Sequence, residues 1–71
     1  MPRLSCTFAE FIAIIEQHGF VLHRHGATNH RRYRHPDGRF VDMSPHNGDI
    51  PIGTLTSMIR QSGLSKKLFR K

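Results

Sequence analysis

GATNHRRYRHPDGRFVDMS, residues 26–44, decides the fold. At its centre Pro36, Asp37 and Gly38 are turn chemistry: proline presets φ, aspartate bonds to nearby backbone, and glycine accepts the positive φ that other residues resist. The flanking runs, Asn29 to His35 and Arg39 to Ser44, carry Tyr33, Phe40 and Val41, residue types that suit a pleated surface. A tight turn between two extended runs predicts an antiparallel hairpin. Upstream, Phe20 to Arg24 (FVLHR) is a third extended run, joined to the hairpin by His25 to Thr28 (HGAT), so the spacing predicts a three-stranded meander.

Helical signals bracket this sheet. Thr7 and Glu10 stand three apart, the spacing of a capping box in which hydroxyl and carboxylate each satisfy an otherwise unpaired amide. Phe8, Phe11, Ile12 and Ile15 then form one apolar stripe, and Gly19 is a stop, which predicts a helix over 7–18. Pro45 to Gly53 is too broken by proline and glycine for regular structure and reads as a loop. Thr54 is expected to open a second helix with Leu55, Met58 and Ile59 on its buried side and Gly63 at its end. Beyond it, SKKLFRK is at most one further turn, with Leu68 and Phe69 packing inward.

The order helix, three strands, helix is an α+β fold, a single domain over residues 1–71. Neither helix can hide its stripe alone, so both are expected on one face of the sheet. The other face is then open to water. With Tyr33 inward, the period of two along a strand sends His30, Arg32 and Arg34 to the open face together.

Eleven Lys and Arg against five Asp and Glu give a formal charge of +6, and Arg31, Arg32, Arg34 and Arg39 cluster within nine residues. Clustering of this kind points to a polyanionic partner. Guanidinium groups hold phosphate through paired donors, and an imidazole beside them can accept or release a proton near neutral pH. Glu10, Glu16, Asp37, Asp42 and Asp49 are spread over helix, turn, strand and loop, so no carboxylate set for a metal-dependent nuclease is visible. RNA carries its own nucleophile in the 2′-hydroxyl and is the substrate this composition favours.

His23 and His25 share a strand face, yet no paired cysteines or second histidine pair complete a zinc set, and no metal or cofactor is expected. His18, His23, His25 and His35 read as polar residues at element ends, whereas His46 is a weaker candidate for a second acid or an RNA contact. Cys6, the one cysteine, reads as an inert residue near the first helix. No segment approaches the roughly 20 apolar residues of a membrane span, and the N-terminus lacks a signal-peptide pattern, so a cytoplasmic protein without a membrane partner is expected.

Taken together, residues 11–65 resemble the HicA family of bacterial toxins, with YRHPDGR and IPIGTLTSMIRQSGLS as the most specific stretches. The resemblance implies a fold similar to the double-stranded RNA-binding domain and an endoribonuclease that cleaves mRNA without a metal. It implies as well a HicB-type antitoxin as partner. The family's histidine follows a glycine and a hydroxyl residue at the start of the second strand, which maps it to His30; here Asn29 takes the hydroxyl position and Gly26 lies further back. On this reading His30 is the general acid or base, and Arg31, Arg32, Arg34 and Arg39 contact RNA. The alternative reading is an RNA-binding module without catalysis, recognising backbone and shape.

Overall fold

The computed structural model describes residues 3–26 and 29–70; the HGAT turn is therefore described only in part, and Ala27, Thr28 and the terminal residues lie outside it. Helix α1 spans Phe8–Gln17, and its capping box is formed as expected: Glu10 N–H donates to the Thr7 hydroxyl at 3.1 Å, and Thr7 N–H donates to the Glu10 carboxylate at 2.9 Å. Gly19, at φ 94°, takes the left-handed conformation that ends the helix. Strands β1 (Val21–His25), β2 (Arg31–Arg34) and β3 (Phe40–Met43) form an antiparallel sheet in the order β1-β2-β3. Helix α2 (Ile52–Ser62) stops at Gly63, left-handed at φ 69°. A single 3-10 turn, Lys66–Phe69, follows.

Register fixes the two faces of the sheet. Tyr33 pairs with Val41 and Arg31 with Met43, while Arg32 pairs with Asp42 and Arg34 with Phe40. Tyr33, Val41 and Met43 are buried with Phe8, Phe11 and Ile15 of α1 and Leu55, Met58 and Ile59 of α2. Both helices therefore cover one face and leave Arg32, Arg34, Phe40 and Asp42 on the other. Full burial of each such large apolar side chain is worth about 1.5–3 kcal/mol, so this shared core holds the helices to the sheet.

Several details differ from the sequence reading. Helix α2 begins at Ile52 instead of Thr54, since Pro51 at φ −54° already has the torsion a helix entry needs and no side-chain cap is used. Val21 and Leu22 form the strand as read but lie outside the core, 62% and 49% exposed: β1 is an edge strand and its register shifts between Leu22 and Arg24. Only Phe20, just before the strand, goes inside. Ile50, within the stretch read as an interrupted loop, is buried, with its N–H donating to the Cys6 carbonyl at 2.8 Å.

At the C-terminus, Phe69 stacks on Phe11 with ring centroids 4.9 Å apart, and Leu4 bridges Arg70, so the last turn is tied to the first residues of the chain. Leu68 stays 40% exposed. Among the described residues, no helix is long and apolar enough to cross a membrane.

Candidate functional site

His30 sits at the entry to β2, exposed, where β1 and β2 approach their connecting turn. The pairing of His25 with Arg31 continues one step further: Gly26 N–H donates to the His30 carbonyl at 2.6 Å. A Cβ placed on Gly26 would lie 3.4 Å from the His30 Cβ. Gly26 does not have the positive φ found at four other glycines, so it is not required here by backbone conformation. On the other side, Asn29 adopts φ 61°, a left-handed conformation that asparagine tolerates better than most residues, and its side-chain amide donates to the Pro45 carbonyl. That bond ties the loop after β3 to the residue preceding His30.

The open face beside His30 carries a charged pair. Arg32 binds Asp42 in bidentate fashion, Nε to Oδ1 at 2.8 Å and Nη2 to Oδ2 at 3.1 Å, and its guanidinium lies 4.2 Å from the centroid of the Phe40 ring. The Arg32 hydrogen bond holds the Asp42 carboxyl below its usual 3.8; burial opposes this, and the charges of Arg32 and of His30 add to it. The two donors spent on Asp42 fix the orientation of the Arg32 fork and leave its remaining N–H groups for another anion. Arg34, two residues along the same face, is exposed and makes no ion pair among the described residues.

Arg31 and Arg39 lie elsewhere. Arg31 shares the helix-facing side of β2 with Tyr33 and is half-buried; its Nε has no hydrogen-bond partner among the described residues. Arg39 lies at the far end of the hairpin, beside the turn, with Nε on Asp37 at 2.8 Å and Nη1 donating to the Ser62 carbonyl at 2.6 Å. The structure therefore puts Arg32 and Arg34 on one face, with His30 exposed at the entry to the same strand, places Arg31 on the opposite face, and sets Arg39 apart.

Asp42 is the residue the sequence reading left among scattered carboxylates. Its position followed from the turn: centring the hairpin on Pro36–Gly38 and pairing Arg34 with Phe40 puts Asp42 directly across from Arg32. Of the remaining histidines, His18 Nδ1 lies against the Ile14 carbonyl, His35 packs edge-on to Phe20, and His25 ends β1, whereas His23 is exposed in the middle of that strand instead of at its end. Among the described residues, no three His, Cys, Asp or Glu side chains converge in a metal-binding group. Cys6 is buried.

The arrangement can hold a phosphate against an imidazole on a solvent-open face. A family model described as HicA toxin of bacterial toxin-antitoxin matches residues 8–64, a range that contains both helices, the whole sheet and His30. No curated protein matches the chain.

Proposed function

Since the chain belongs to the HicA family of toxins from bacterial toxin–antitoxin systems, we propose that it acts as an endoribonuclease on mRNA, with His30 as general acid or base. In the cleavage step the 2′-hydroxyl gives its proton to a base and its oxygen attacks the adjacent phosphorus. The P–O5′ bond breaks, and the departing 5′-oxygen takes a proton from an acid, leaving a 2′,3′-cyclic phosphate and a 5′-hydroxyl. His30 serves one of these two transfers. Arg32, held in place by Asp42, and Arg34 bind the phosphate whose charge builds up, Arg31 contacts the neighbouring part of the strand, and Arg39 adds positive potential at the far end. No metal ion is required, because nucleophile and proton carriers are already supplied.

The observation that carries this reading is His30 itself, exposed at the entry to the strand that carries Arg32 and Arg34 on its open face. Its partner in the cell is an antitoxin, proposed to be of HicB type, whose docking over this basic face would silence cleavage.

The test is the chemistry of the product. Cleavage of an mRNA fragment in excess chelator should leave 5′-hydroxyl ends, and the same fragment with 2′-O-methyl groups should stay intact. Cleavage of the methylated strand would overturn attack by the 2′-hydroxyl.

A further inference from the structure

Behind His30, on the helix side of the sheet, lies an open groove of about 280 Å³ lined by Phe8, Ile12, Arg31, Pro45, His46 and Asn47. Its walls combine an apolar surface with one cation. The His46 ring packs over Phe8 at 4.7 Å between centroids, tilted by 58°. Its Nδ1 lies 2.9 Å from the Asn47 carbonyl, which can only accept, so Nδ1 carries a proton and Nε2 is free of that bond.

Arg31 supplies the positive charge, and its buried Nε has no hydrogen-bond partner among the described residues. That nitrogen is closed off from solvent, so a ligand in the groove would meet the half-buried side chain through its terminal nitrogens. No carboxylate lines the groove.

We propose that this groove is a nucleotide subsite. It takes one unit of a single-stranded RNA, phosphate on Arg31 and base against Ile12 and the His46 ring, while the adjoining linkage lies at His30. The proposal rests on the ribonuclease reading and extends it to how the strand is gripped. Arg31 directly follows His30, so their Cα atoms are about 3.8 Å apart. The Asn29 to Pro45 bond sets the groove wall beside the same residue.

An acidic side chain of a protein partner would satisfy Arg31 but leave the ring surface uncovered, whereas a nucleotide meets both. Strand alternation places Arg31 on the face opposite Arg32, so the substrate must wrap around the end of the sheet. A flexible single strand can do this and a stiff duplex cannot, so the groove selects unpaired RNA.

The experiment uses the full chain carrying His30→Ala, so that the probe survives, titrated with an unstructured 2′-O-methyl hexanucleotide and followed by NMR at the Ile12 methyl groups and the His46 ring. Those signals should shift, and adding Arg31→Met or His46→Ala should weaken binding by roughly 10- to 100-fold, the factor for one lost charge-assisted or stacking contact. Arg31→Met should leave the melting temperature unchanged or higher, because the nitrogen it removes has no partner in the fold. A drop in melting temperature would mark Arg31 as structural and overturn the proposal.

If the hexanucleotide binds with these signals unmoved and both variants at full affinity, the subsite is wrong while the ribonuclease reading stands. Shifts from an acidic peptide but not from RNA would make the groove a protein contact. No binding of RNA by any form would overturn subsite and ribonuclease together.

Discussion

Gly26 and Arg39 show how single residues divide between access and stability. A methyl group at position 26 would meet the His30 Cβ at 3.4 Å, an ordinary contact, whereas a longer branch adds bulk beside His30. Gly26→Leu should therefore reduce cleavage by about tenfold or more, comparable to losing part of a general acid–base contribution, while the melting temperature moves little. Parallel rate and melting measurements on Gly26→Ala and Gly26→Leu check this, and equal activity of the two would contradict it.

Arg39 has the opposite profile. Its Nη1 bond to Ser62, the last residue of α2, satisfies a helix-terminal carbonyl, and its guanidinium lies 5.4 Å from the centroid of the Phe20 ring. The Asp37 pair is exposed and adds little. Arg39→Ala should cost about 1–2 kcal/mol in urea unfolding, with a smaller effect on RNA affinity than Arg34→Ala.

Among elements, the C-terminal turn matters more than its length suggests. Phe69 is buried against Phe11, and Ser5 N–H donates to its carbonyl at 3.2 Å, so four residues of 3-10 helix close the core below α1. Phe69→Ala should destabilise the fold by about 3–5 kcal/mol, read from thermal or urea unfolding, whereas Leu68→Ala should be nearly neutral.

The sequence made the type of this element visible but not its weight, since the Phe11 stack joins residues 58 positions apart and no local pattern reports it. Where signals are local, reading was close: the Thr7 and Glu10 box, the stops at Gly19 and Gly63 and the Pro36–Gly38 turn all appear where expected. Strand burial was less legible. Val21 and Leu22 have the composition of core residues, yet an edge strand with a bulge lies beyond the reach of both helices. At the site, alternation about Tyr33 placed Arg32 and Arg34 on one face, while the Asp42 partner and the groove behind Arg31 depend on register and loop packing that composition does not encode.

For the whole molecule, a charge of +6 on 71 residues suits a polyanionic partner, and the family places the chain as the toxin of a pair. One sheet face buried by two helices and the other left open gives a single basic platform with a histidine at its edge. In the proposed activity, attraction to RNA is shared among several cations. Proton transfer is not spread out, and the central claim is that His30 performs it.

The most direct test compares the wild-type chain with His30→Ala in the same cells, by growth after induction and by mRNA integrity, with cleavage assayed in chelator-treated lysate. Wild type should arrest growth and cut mRNA, and His30→Ala should do neither, its cleavage rate falling by about 10² to 10⁴-fold while it still binds RNA. Undiminished cleavage by His30→Ala would contradict the account.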